Sequence, residues 1–221
     1  MTARRILTGM LLLASVATIV AAGNTVLRWQ AAIASLATPV LVLPPHPAPR
    51  VGQMAPDFEL PSADGSRSVR LSSFRGQRPV ALVFASITCP YFRNEAQALE
   101  RLYRQYGDQV QFLLVYQREA HSVGTTPVPE NDADGIAICP PQSLAERSQD
   151  CQQAGHKLSL TIPSLVDQLN DRVAYDYMSD PVRLYLVDVS GKIVFQTAQG
   201  PWSFRAQDLE QAILASLPAV P

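Results

Sequence analysis

Cys89 stands four residues beyond the end of a six-residue apolar run, Val80-Ala81-Leu82-Val83-Phe84-Ala85, and directly before Pro90. Such a run, bounded by polar turns, reads as a strand buried on both faces. Proline is favoured in the first turn of a helix, where its missing N–H leaves nothing unpaired. The chemistry this placement offers is that of a nucleophilic thiol. Unpaired backbone N–H groups and aligned peptide dipoles at a helix start favour thiolate, which predicts a pKa for Cys89 below the roughly 8.5 of a free thiol. The competing reading is a buried cysteine that only packs. Cys151 shares one helical stripe with Leu144, Ala154 and Leu158, so burial as a small apolar side chain accounts for it. A second thiol in a redox protein can equally resolve a sulfenic-type intermediate formed at Cys89. Cys139 offers Cys151 a disulfide partner, but three cysteines cannot all pair within one chain.

The elements that must position these groups follow from pattern. After the strand Val80 to Ser86, Phe92, Ala96, Leu99, Tyr103 and Tyr106 recur at spacings of four and three, one apolar stripe on a helix from Pro90 to about Tyr106. Val110 to Tyr116 reads as a second strand, and His121 to Pro141 as a long polar loop. Ser143 with Glu146 makes a capping box that opens a helix to about Leu158. Pro163 to Asp167 and Val182 to Asp188 are short strands. Ser190-Gly191 turns the latter into Lys192 to Gln196 as a hairpin, and a last helix runs from about Phe204 to Leu217. This order predicts an α/β fold of thioredoxin-like type, a central mixed β-sheet flanked by helices, preceded by an N-terminal apolar helix.

The chain has 221 residues, a net charge of −1 and 47% hydrophobic content, which suits one globular domain with appendages and gives no basic surplus for nucleic acid. Arg4 and Arg5 precede an uncharged stretch from Ile6 to Leu27, 22 residues or about 33 Å of helix, enough to cross a bilayer core. Residues 1–28 therefore read as a membrane anchor or as a cleaved export signal, with Val20-Ala21-Ala22 at a candidate cut site. Either reading leads the domain to the extracytoplasmic side, because the paired arginines favour a cytoplasmic N-terminus. Residues 29–50, with Pro39, Pro44, Pro45, Pro47 and Pro49, form an extended linker, and residues 51–221 the domain. There is no CxxC pair, no zinc-type Cys/His spacing and no glycine-rich phosphate loop, so no bound metal or cofactor is expected.

Several motifs carry a family resemblance. Val51-Gly-Gln-Met-Ala-Pro-Asp57-Phe58 and Leu71-Ser-Ser-Phe74-Arg-Gly76 look like the opening of thioredoxin-fold redoxins and peroxiredoxins. Phe84-Ala-Ser86-Ile-Thr88-Cys89-Pro90-Tyr-Phe92, Tyr116-Gln-Arg-Glu119-Ala120-His121, Pro163-Ser-Leu-Val166-Asp167, Arg183-Leu184-Tyr185 and Gly200-Pro201-Trp202, in this order, resemble the iodothyronine deiodinases and their Cys-containing bacterial relatives. Animal members carry selenocysteine where this chain has Cys89. Ser122-Val123-Gly124 departs from the Asp-Gly-Trp that usually follows the family's Glu-Ala-His, and Ile87 and Ile162 stand where animal members often have cysteine.

The resemblance implies an oxidoreductase in which Cys89 attacks a peroxide oxygen, a disulfide or an aryl halogen. His121, at the end of the strand beside that of Cys89, would manage protons. Ser86 would orient the reacting atom or cap the adjoining helix, Arg183 would hold the thiolate and neutralise a leaving anion or be a partly exposed strand arginine, and Pro163 would be the cis-proline packed against the cysteine or a trans proline that only opens its strand. The implied partners are a small-molecule substrate, an external thiol reductant, the membrane through the N-terminal segment, and a second copy of the chain as a homodimer. The rival from another class is a non-catalytic, membrane-tethered thioredoxin-fold binding module.

Overall fold

A computed structural model describes residues 47–217; the predicted apolar helix and most of the linker lie outside them. The described elements are strands β1 (Glu59–Pro61), β2 (Ser68–Arg70) and β3 (Val80–Ala85), helix α1 (Pro90–Tyr106), strand β4 (Gln111–Tyr116), helices α2 (Pro129–Ala133) and α3 (Leu144–Lys157), strand β5 (Ser164–Val166), helix α4 (Arg172–Tyr177), strands β6 (Arg183–Val187) and β7 (Ile193–Gln196), and helix α5 (Ala206–Ser216). Five strands form one mixed sheet in the order β5-β4-β3-β6-β7. β3 runs parallel to β4 and antiparallel to β6, and β4 runs parallel to β5. β1 and β2 pair separately as a small antiparallel hairpin.

β3 is the central strand, and all six of its residues are buried. Its alternation divides the core. Ala81, Val83 and Ala85 face a cluster with Phe92, Leu99, Leu184, Leu186, Leu209 and Ile213, so α1 and α5 cover this side. Val80, Leu82 and Phe84 face Phe58, Leu60, Leu71, Tyr177 and Tyr185, so the N-terminal hairpin segment and α4 cover the other. A strand with helices on both faces has no polar side, which is why its sequence is uniformly apolar.

The expected helix from Pro90 to Tyr106 is present and buries Phe92, Ala96, Leu99, Leu102 and Tyr106. Ser143 caps α3, accepting from the Glu146 N–H at 3.2 Å, whereas the Glu146 carboxylate reaches the Gln142 N–H at 2.6 Å in place of the Ser143 amide. The capping box is thus half closed. Two features were not expected. α2 interrupts the long loop, and α4 forms over six residues because the buried Asp167 carboxylate accepts the Val173 and Ala174 N–H groups at 3.3 and 2.8 Å. These bonds satisfy donors that a helix start leaves free.

Candidate active site

Because β3 and β4 are parallel neighbours, both release the chain at the same sheet edge, and residues 86–89 and 117–121 meet there. Cys89 is the N-cap of α1, with extended backbone angles, and Pro90 opens the helix. Its thiol is surrounded by the backbone N–H groups of Phe92 and Tyr91 and lies near Arg93. All three pull toward thiolate, yet burial, with the residue only 1% exposed, outweighs them, and the Asp180 carboxylate adds to it. The net direction is upward from the ordinary thiol value, which corrects the expectation of a lowered pKa. The helix-start effect is present; in this closed arrangement, desolvation of the charged sulfur is larger.

Thr88, the residue before the cysteine, enters a buried polar network that lies toward Cys151. Thr88 donates its N–H and its hydroxyl to Glu119 Oε2 at 3.1 and 2.6 Å, and the Tyr116 hydroxyl donates to Glu119 Oε1. The Thr88 Oγ1 in turn accepts the His121 N–H at 3.1 Å, and Ser86 Oγ accepts the Ala120 N–H at 3.1 Å. Burial raises the Glu119 pKa even though the Thr88 and Tyr116 bonds oppose it. The carboxyl thus accepts a hydroxyl on each oxygen, which favours its charge, while burial disfavours it.

His121 is half-buried, and its Nδ1 lies 3.0 Å from the Thr126 carbonyl oxygen. A carbonyl only accepts, so Nδ1 carries the hydrogen and the neutral ring keeps its lone pair on Nε2. Arg93 reaches back from α1 to the Ile87 carbonyl and to Asn131 Oδ1, both at 2.8 Å, and forms an ion pair with Asp134 at 3.0 Å. The same guanidinium therefore stands by the sulfur and fastens the loop that carries α2. On the far side Gln117 donates to the Pro181 carbonyl at 2.8 Å, and Arg118 pairs with Asp180 at 2.6 Å. A cleft of about 470 Å³ adjoins this end, lined by Arg118, Glu119, Ala120, Ser122, Arg147 and Asp180 among others. A larger cleft of about 820 Å³ opens elsewhere, beside His156 and Cys151, and Cys89 lines neither cleft.

The structure thus gathers Cys89, Ser86 and the His121 backbone at one edge. Arg183 is elsewhere. Leu184 and Leu186 of β6 face the Cys89 side, so alternation turns Arg183 and Tyr185 to the opposite face. There the guanidinium donates to the carbonyls of Thr197, Met178 and Tyr177 at 3.1, 3.1 and 3.4 Å and lies 5.2 Å from the Tyr185 ring centre. Pro163 is not a cis-proline: among the described residues the one cis peptide is Asp180–Pro181, ahead of β6. Cys151 is a free buried thiol in a different packing cluster from Cys89, with Ile87, Tyr116 and Val166, and burial pushes its pKa up to about 12. Cys139 is free and exposed. The sequence analysis assigned no role to Arg93 or Asp180. Arg93, four residues after Cys89 on one helix face, and the Asp-Pro before a buried strand were the available signals.

A lone cysteine at the junction of the central strand and its helix, flanked by a cis-proline segment ahead of the antiparallel neighbour strand, defines a thioredoxin-like fold with a thiol-type site. Solved structures agree on the fold. A thiol:disulfide interchange protein DsbE from Chlorobium tepidum superimposes with a TM-score of 0.56 at 21% identity, over 77% of this chain and 100% of that one. A secreted Mycobacterium tuberculosis disulfide oxidoreductase does so with 0.51 at 14%, over 72% and 95%. The family is shown by sequence: residues 41–215 match the model of the iodothyronine deiodinase family, and the chain belongs to it. It is 29% identical to a thyroxine 5-deiodinase of Gallus gallus, over 72% of this chain and 60% of that protein, and 32% identical to one of Sus scrofa, over 72% and 50%. The chain spans about three fifths of the length of the first curated relatives it matches.

Proposed function

We propose that this protein is a reductive dehalogenase of aromatic substrates that works through Cys89 and is restored by an external thiol. The observation that carries the reading is the setting of Cys89 at the start of α1, with the Tyr91 and Phe92 N–H groups and Arg93 drawing its sulfur toward thiolate; replacing a ring halogen by hydrogen also needs a proton at carbon, for which the Glu119 carboxyl, reached through Thr88, is the nearest buried candidate in the network. Attack of the Cys89 sulfur on iodine breaks the carbon–iodine bond, leaves a sulfenyl iodide on the enzyme, and passes the bonding pair to carbon, which takes the proton. A thiol then displaces iodide to give a mixed disulfide, and a second thiol releases Cys89. Electrons thus flow from two thiols to the substrate, which gains one proton and loses iodide.

In this reading the raised pKa of Cys89 describes the closed state. Opening the site to substrate removes the desolvation that holds the thiol protonated, and the Tyr91 and Phe92 N–H groups with Arg93 then favour thiolate. In the closed state the His121 imidazole is turned to the Thr126 carbonyl, and its proton exchange through Nε2 belongs to the open one. The relatives' name, thyroxine 5-deiodinase, is what suggests an iodinated phenol as the substrate class. The uncharged stretch from Ile6 to Leu27 behind Arg4 and Arg5 supports an anchored or exported protein with its domain outside the cytoplasm. No helix among the described residues is long and apolar enough to cross a membrane.

One observation favours a second reading, a non-catalytic thioredoxin-fold module: Cys89 is almost fully buried. The full chain, incubated with 2,6-diiodophenol and dithiothreitol, separates the two. Iodide release that is lost in Cys89→Ser and slowed about a hundredfold in His121→Ala supports the enzyme. No iodide release, with Cys89 unmodified by mass spectrometry, supports the module.

A further inference from the structure

Trp202 is 81% exposed, more than any other large apolar side chain among the described residues, and it is held there rigidly. It lies in a short 3₁₀ turn, Pro201–Ser203, whose two sides are tied down. On one side the Ser203 hydroxyl donates to the Ala198 carbonyl at 2.9 Å. On the other, Phe204 is buried edge-to-face against Phe92 with ring centres 6.5 Å apart, and the Ala206 N–H donates to Glu95 Oε2 at 2.8 Å. The indole meets the Tyr91 ring at 5.3 Å and 79°. Tyr91 and Phe92 are the second and third residues after Cys89, and their N–H groups are the ones that attend its sulfur. Two aromatic pairs thus bolt this turn to the first turn of α1 and set an open indole against the ring of Tyr91, two residues past the nucleophile.

We propose that Trp202 and Tyr91 form a ledge that receives the aromatic ring of the substrate and sets its halogen toward Cys89. The inference rests on the dehalogenase reading and adds to it the residues that select for an aryl ring. Size decides the kind of occupant. One indole covers about 150–250 Å² when buried, enough for a stacked ring and far short of the roughly 1,000 Å² that a stable protein partner needs. Charge agrees: a ring depleted of electrons by halogens is attracted to the negative face of an indole. A hydroperoxide or an aliphatic disulfide has no such face and gains nothing from the ledge.

The sequence holds two tryptophans, Trp29 and Trp202, so full-length Trp29→Phe reports Trp202 fluorescence alone. Titration with 2,6-diiodophenol should quench it saturably, whereas N-acetyltryptophanamide under the same conditions should quench only linearly; cyclohexanol should do neither. In turnover, Trp202→Ala should raise the KM for diiodophenol about tenfold with kcat changed less than twofold, Trp202→Phe should recover most of the loss, and the rate with tert-butyl hydroperoxide should not move. Linear quenching of Trp202, or a Trp202→Ala KM within twofold of the parent, overturns the ledge. Saturable quenching that persists in Cys89→Ser without iodide release from the parent supports the ledge while sinking the dehalogenase reading, so the two fail separately.

Discussion

Thr88→Val tests the buried network most sharply, because it keeps shape and removes only the hydroxyl. Thr88 is fully buried, and its Oγ1 holds two bonds, the 2.6 Å donation to Glu119 and the 3.1 Å acceptance from the His121 N–H. A hydrogen bond to a carboxylate contributes about 1.5–3 kcal/mol, and an orphaned buried N–H costs about 1–3 kcal/mol. The surviving Thr88 N–H to Glu119 bond offsets part of this, so a loss of about 3 kcal/mol is expected. Thr88→Ser keeps both bonds and loses one methyl, about 1 kcal/mol. With a urea m-value of about 2 kcal/mol per molar, the valine variant should unfold about 1 M below the serine variant in equilibrium denaturation followed by circular dichroism. Equal midpoints, within about 0.2 M and at unchanged m, would refute the claim that this hydroxyl ties Glu119 to the His121 backbone.

Alkylation of the resting protein at pH 7, followed by peptide mass spectrometry, should label exposed Cys139 first and leave Cys89 and Cys151 behind, because burial raises both of their pKa values. Fastest labelling at Cys89 would show that the closed state is not the one in solution. Glu119 has its pKa raised in the fold, so near and above pH 4.5 the folded chain binds more protons than the unfolded one, and this residue's contribution falls as pH rises through its folded pKa. Stability of the parent relative to Glu119→Gln should therefore decline with rising pH across that window, and a rise would reverse the assignment. Arg183→Met should cost about 2 kcal/mol by taking a donor from the Thr197 and Met178 carbonyls, the Tyr177 carbonyl keeping the Tyr185 hydroxyl, while leaving the KM for substrate unchanged; a KM effect at intact stability would place its guanidinium at the reaction centre.

The strand, the cysteine and the helix after it were legible because each rests on short-range chemistry: a run apolar at every position, a proline at a helix start and a stripe at helical spacing. What escaped depends on depth and on distant partners. The helix-start effect on Cys89 is visible in sequence, but the desolvation that overrides it comes from the α1 and α5 side of the sheet closing over the thiol. Pro163 and Pro181 both precede short buried strands, and nothing local tells which has the cis bond. Arg183 was placed beside Cys89 by motif, yet a strand residue's face is set by register, and Phe84 and Arg183 are paired across β3 and β6 so that both point away from the nucleophile. α4 is too short to show a periodic face and depends on a carboxylate from the preceding segment.

Ser86 and Thr88 hold the chain after β4 by its amides, taking the N–H groups of Ala120 and His121 and none of their side-chain atoms. That part of the grip holds whatever non-proline residue sits at 121, so new chemistry can be tried there on a backbone still fastened to the segment after β3; the imidazole's own bond to the Thr126 carbonyl is the one tie such a change gives up. Loss of activity in a His121 variant then reports on the imidazole and that single tie, whereas the same loss in a Thr88 variant mixes chemistry with the hold on the whole segment.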